Sequence, residues 1–480
     1  MKQNSILLIF CTLLMSLASC QSSSSENPSD ISSTDTKSIS EETTAQAYQL
    51  PDADYDGYTF KMLARDNQWD RMEVDFDEPQ ADVIYDAVYQ RNLAVEEKYN
   101  VTVEGVLLGD DMYTPVKQSV MADTHEYDMV FAPLSAAASM GRDGLLYNYN
   151  EIQSIDLSNP WWDKNIVNDL QINDKMYFMT GDIGVRSKDN IWIILFNNPI
   201  HQELDLENLY DLVKNGTWTI DKFHELAIQA VKDTDGNGQF DDQDRYGLIT
   251  TGEGGKNFYY ASGERIIDNN NGEMTLVANN ERAQAIIEKT VRLFTESNIV
   301  YDPPTWQDAE RMFAENKGLF YSEIVTHIIN LRDMKADFGI LPTPKLSEEQ
   351  EAYYTHCATN GTAACLPISS PDIERCGTIV EALGYYGMEY LTPAFEEEAL
   401  AAKYSRDQES AEMLDIIWDS VRYDVGYIYN IAGMSDIATA MVNQKSTDLQ
   451  SFVEKRRAAA EKAIEKLSEN FSIDQTGANS

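Results

Sequence analysis

Apolar and polar positions along the chain follow two rhythms. Apolar runs of strand length stand at 58–63, 101–106 and 127–131, and between the first two the stretch 83–99 carries its apolar residues at helical spacing. Strands alternating with helices predict an α/β architecture, a parallel sheet covered by helices. Ligands on such sheets bind beyond the carboxyl ends of strands. That rule selects Arg65 and Trp69, after the first strand, and the loop 133–139, after the third. Further apolar runs at 176–180, 191–196, 318–321 and 338–342 read as strands, with a break at Gly181 to Gly184. Helical spacing marks 219–231, 282–295, 373–390, 411–419 and a charged terminal stretch 449–467, and Thr219 stands where an N-cap belongs.

The first twenty residues break both rhythms. Lys2 precedes an apolar run from Ile6 to Leu17; as a helix it reaches about 18 Å, short of the ~30 Å hydrocarbon core, so it reads as a signal segment rather than a membrane span. The ending Leu17-Ala18-Ser19-Cys20 resembles a bacterial lipoprotein signal, which implies cleavage before Cys20 and a lipid on its thiol. An ordinary secretory signal cut near Ala18 is the alternative. From Gln21 to Ala47 the chain is almost wholly polar and cannot offset the entropy of ordering, so it reads as a disordered tether.

Charge narrows the partners. With 37 Lys+Arg against 80 Asp+Glu the net charge is −43, which argues against nucleic acid and against docking on anionic lipid by charge. A hydrophobic share of 43% marks a folded body rather than an acidic disordered chain. Cys357, Cys365 and Cys376 are an odd number for an exported protein, open to one disulfide with a free thiol or to none, and their spacing matches no common zinc pattern. One local motif is sharp. Asp233, Asp235, Asn237, Gln239, Asp241 and Asp244 fall at the oxygen-ligand positions of an EF-hand-type calcium loop, with Gly238 at its turn and Asp where Glu is usual. The reading is a structural calcium, against a bare Asp/Gly-rich surface turn. No nucleophile elbow, zinc-protease motif or phosphate loop is present, so no catalytic residue or catalytic cofactor is expected.

The order of several stretches resembles a known family. Tyr127-Asp128-Met129-Val130-Phe131 followed by Gly144-Leu145-Leu146, Pro160-Trp161-Trp162-Asp163, Gly216-Thr217-Trp218-Thr219, Asp244-Arg245-Tyr246-Gly247-Leu248, Phe338-Gly339-Ile340-Leu341-Pro342 and Tyr423-Asp424-Val425-Gly426-Tyr427 are similar to the extracellular solute-binding proteins of carbohydrate ABC transporters, of the maltodextrin-binding type. The resemblance implies a two-lobed periplasmic-binding-protein-like fold (type II), each lobe a mostly parallel sheet flanked by helices, with hinge crossovers between lobes. The boundaries it suggests are a signal peptide 1–19, tether 20–47, lobe one 48–181, lobe two 182–320, a return to lobe one 321–391, lobe two with a C-terminal helix 392–470, and a tail 471–480.

A sugar offers apolar C–H faces and a belt of hydroxyls, so a site needs flat aromatics with carboxylates, amides and arginine. On that chemistry and the family's order the candidate ligand residues are Arg65, Trp69, Trp161, Trp162, Asp182, Trp306, Glu323, Tyr427, Tyr429 and Asn430. Trp218, beside the Thr219 cap, reads as helix packing, and Trp192 as ambiguous. Ser135 to Ala138 stand where relatives of the maltodextrin type place polar and aromatic contacts, a departure from a maltose-like set. The expected protein is a monomeric receptor, anchored outside the cytoplasmic membrane only by its lipid, that binds a neutral mono- or oligosaccharide and delivers it to ABC transporter permease subunits. A secreted carbohydrate-active hydrolase or lyase and a non-transport surface-binding lipoprotein are the alternatives.

Overall fold

The computed structural model describes residues 48–74, 82–401 and 408–472, and Leu50 onward forms one compact unit. Cys20, the signal segment and the whole tether 20–47 lie outside the described residues. Among those described, no helix is long and apolar enough to cross a membrane.

Two mixed five-stranded sheets organise the body, each with helices against it. In the first, Tyr58–Arg65 pairs in parallel with Val101–Leu108 and Met129–Pro133, and Thr362–Cys365 returns antiparallel beside Met129–Pro133, followed by Phe178–Met179. The helix Val83–Tyr99 covers this sheet. Asp82 opens it by accepting from the backbone of Ile84 and Tyr85, and Asn100 closes it in the left-handed conformation. The loop expected after Met129–Pro133 is instead a helix, Leu134–Arg142, starting directly at the strand's end with Ala137 and Ala138 buried. The small side chains of that stretch let the helix pack closely.

The second sheet runs in the order Phe338–Leu341, Trp192–Asn197, Gly318–Ile324, Tyr246–Thr250, Val300–Tyr301. Its last three strands are mutually parallel, and Trp192–Asn197 is antiparallel to both neighbours. Phe338–Leu341 thus pairs in the second sheet, although the boundaries above assign it to the return into lobe one. Its apolar run suits either sheet, and only its register with Trp192–Asn197 decides. Thr392–Ala401 likewise packs against the first-lobe helix Val83–Tyr99, across the boundary set at 391. Trp218 is fully buried, donates its indole N–H to the Pro342 carbonyl at 2.8 Å and packs on Phe223 of the helix that Thr219 caps.

The chain passes between the sheets along strand-like segments that bond to one another. Ile191 bridges Cys357, Ala358 N–H donates to the Asn190 carbonyl, and Thr355–His356 pairs in parallel with Val421–Arg422. Here His356 is buried between the rings of Tyr260 and Tyr427, each 4.6 Å away, and burial pushes its imidazole down to about 3. Cys357, Cys365 and Cys376 are all buried and unpaired, so no disulfide joins them, and burial raises their thiols well above the usual range.

Candidate functional site: a cleft at the strand ends of the second sheet

Sheet register assembles the site. Ser322 pairs with Thr250 and Ile249 with Tyr301, so the next residues along these parallel strands, Glu323, Thr251 and Asp302, emerge side by side. Trp192 begins the antiparallel neighbour opposite Ile324 and joins the same edge. Together they line a cleft of about 820 Å³, with Asn190 and Asn360 from the segments that connect the sheets.

Trp306, half-buried, opens the helix Trp306–Ala314, capped by Thr305 accepting from Asp308 N–H at 3.1 Å. One turn on, Glu310 reaches His327: its Oε1 lies 2.8 Å from Nδ1, and the His327 ring sits 4.7 Å from that of Trp306. A carboxylate only accepts, so Nδ1 carries the hydrogen. Glu323 is 6% exposed, and its Oε2 accepts from the Thr251 hydroxyl at 2.9 Å. Burial holds its carboxyl above the ordinary range, against the opposing pull of His327 and of its hydrogen bonds.

Of the residues selected from sequence, the cleft brings together Trp306 and Glu323. Arg65 and Trp69 stand in a neighbouring ion cluster. Arg65 pairs with Asp70, Asp70 pairs with Arg186, and Arg186 pairs with Asp189 while donating to the Thr326 hydroxyl at 3.0 Å. The Arg186 guanidinium lies 5.9 Å from the Trp69 ring. Glu73 fastens this cluster by accepting from the backbone of Val185 and Arg186 and from the Thr362 hydroxyl, wholly inside the protein, where burial raises its carboxyl.

The remaining candidates lie elsewhere. Trp161 and Trp162 are buried and, with Asp182, line a separate, smaller cavity of about 140 Å³; Trp162 packs edge-on against Tyr149 and gives its indole N–H to Glu381 at 2.9 Å. Asp182 pairs with Lys188 and accepts from the Thr392 hydroxyl, both at 2.7 Å. Tyr427 lies in the buried aromatic group around His356. Tyr429 packs against Phe471, and Asn430 takes a left-handed turn conformation and accepts from Ser435. Sequence reasoning missed Asn190, His327, Glu253 and Asp302 and left Trp192 undecided. For Glu253 and Asp302 the strand-end rule that selected Arg65 was the available signal, applied to the parallel strands of the second sheet.

In the loop 233–244, carboxylate oxygens of Asp233, Asp235 and Asp244 lie within 4.8 Å of one another. Gly236 and Gly238 turn with positive φ, and Asp233 accepts from both of their amides. Asn237 and Asp241 accept from the backbone of Gln239 and Gln243, and the three clustered carboxylates are groups that could hold a cation.

Neither a protein-family model nor a curated protein matches the chain. Solved structures do. The galacto-N-biose/lacto-N-biose I-binding protein of a Bifidobacterium longum ABC transporter, in complex with lacto-N-biose, is similar at a TM-score of 0.60 and 10% identity, over 86% of this chain and 98% of that one. The maltose/maltodextrin-binding domain from Bdellovibrio bacteriovorus bound to maltotriose gives 0.56 at 15% identity, over 85% and 100%. An ABC transporter solute-binding protein from Thermotoga lettingae bound with α-D-tagatose gives 0.54 at 16%, over 86% and 100%. The expected architecture stands: the chain has the two-lobed α/β fold of the carbohydrate solute-binding proteins of ABC transporters.

Proposed function

We propose that this protein is the extracytoplasmic receptor of an ABC importer, taking a carbohydrate into the cleft between its lobes and delivering it to a membrane permease. The observation that carries the reading is the row formed by Trp192, Thr251, Asp302 and Glu323 beside Trp306. It joins aromatic surface to hydrogen-bonding groups at the strand ends of a sheet, the surroundings a pyranose needs. The similar structures are complexes with sugars, which supports the reading. Binding is reversible, and closure is a hinge motion about the bonded crossover segments. Cys20 carries the lipid anchor, the polar segment after it spaces the body from the membrane, and the loop at Asp233, Asp235 and Asp244 holds a structural calcium.

The test is a thermal-shift panel of mono- and oligosaccharides with parallel assay for new reducing ends. A receptor melts at a higher temperature with its sugar and leaves that sugar intact. Reducing ends that accumulate with time mark a hydrolase and overturn the proposal.

A further inference from the structure

The cleft wall is rich in hydrogen-bond acceptors. Glu253, Asp302 and Glu323 put three carboxylates on it, Glu253 paired with Lys256 at 2.9 Å, and among the described residues no lysine or arginine lines it. Three other cavities in the molecule each have one: Arg265 and Arg422 beside His356, and Lys188 in both cavities near Trp418. Among the described lining residues the one basic side chain is His327, whose Nδ1 is engaged by Glu310.

Asn190 sharpens this asymmetry. It is fully buried, and its Nδ2 donates to the Arg186 carbonyl at 3.1 Å and to Asp189 at 2.6 Å. Both bonds fix the amide's orientation, and its Oδ1 is left with no hydrogen-bond partner. A buried acceptor without a donor is destabilising, so a ligand N–H or O–H placed there would relieve that cost. Glu323 also lines the cleft: its oxygens accept from neutral donors, the Thr251 hydroxyl and the Ile324 amide, and among the described residues no lysine or arginine is ion-paired with it. Buried carboxylates of that sort gain most from a partner that is itself positive.

A hydroxyl gives one hydrogen and asks for others, whereas an ammonium gives three and accepts none. An acceptor wall complements the second better than the first. Trp306 adds a surface that suits both the C–H face of a ring and an adjacent positive charge. We infer that the solute of this cleft is a saccharide bearing a protonated amine, its ammonium seated at Glu323 and Asn190 and its ring on Trp306. The inference rests on the carbohydrate reading above and replaces the neutral sugar expected from net charge alone: the chain's acidity repels anions everywhere, but the cleft concentrates acceptors where the ligand sits.

The experiment is calorimetric titration of the full-length protein, kept in mild detergent, with three matched series: short glucosamine oligomers, their N-acetylated counterparts and the corresponding glucose oligomers. At a mildly acidic pH the amine is charged, and the glucosamine series is expected to bind at least about tenfold more tightly than the other two. Glu323→Gln abolishes that preference, and Glu253→Gln, at the exposed rim, reduces it about twofold to threefold. The melting temperature of each variant without ligand shows that it is folded. Equal or tighter binding of the glucose series overturns the amine inference and leaves a carbohydrate receptor standing. Silence from all three series and from the wider sugar panel overturns both.

Discussion

Trp162 and Trp306 stand in similar local sequence, each shortly after proline, and end in opposite surroundings. Trp162 is sealed in the first lobe with its N–H given to Glu381, while Trp306 is half-buried at the wall of the cleft beside His327. The difference comes from what distant chain brings to each. Glu381 arrives from a helix 219 residues away and supplies a buried acceptor that turns an indole into a core strut. Trp306 heads its own helix, and its neighbours Glu310 and His327 hold a ring beside it without covering it. A tryptophan in a proline-rich loop is therefore a binding candidate only where no buried acceptor claims its N–H.

Substitution separates the two most sharply. Trp162→Ala is expected to remove about 3–5 kcal/mol of stability, by the cavity it leaves and by stripping a donor from Glu381. Urea unfolding measures it, and a loss below about 1 kcal/mol would erase the contrast. The pH dependence of the same core is next in size. Burial pushes Glu381 up to about 7 from an ordinary 4.5. A carboxyl raised by folding favours the folded state while protonated, so its contribution is complete below about pH 4.5 and is lost as the pH rises through about 7. The loss amounts to about 3 kcal/mol, and Glu381→Gln, neutral throughout, should flatten the unfolding midpoints across that window. Trp306→Ala should do the reverse of Trp162→Ala: stability changes by less than about 1 kcal/mol, while sugar affinity falls by about 2 kcal/mol, read by calorimetry. The smallest effect belongs to neither region. Excess calcium should raise the melting temperature by about 2–4 °C through the 233–244 loop, Asp235→Ala should abolish the rise, and sugar affinity should not move.

Fold and site were legible to different depths. The helix Val83–Tyr99 carries its own cap at Asp82, and Thr219 caps the next long one predicted, so local chemistry marks both starts. Phe338–Leu341 carries no such mark, since an apolar run states that it is buried and not which sheet receives it. Trp306 and Glu323, which the structure places on the cleft wall, were selected because aromatic and acidic residues stand out at a strand's end or a loop. Asn190 and His327 were not, because their meaning depends on Asp189, Arg186 and Glu310 fixing which atom remains to be used. Tyr429 and Asn430 show the converse: a tyrosine-rich segment near the chain's end resembles a ligand wall in sequence and serves to dock the terminal helix through Phe471.

The bonded crossovers have a mechanical consequence. Because Ile191 is laddered to Cys357 and Thr355–His356 to Val421–Arg422, the lobes are joined by a woven strap rather than by separate strings. Such a strap resists sideways slippage and stretching more than a single linker would, and a nick in one thread is expected to leave the others holding both halves in register.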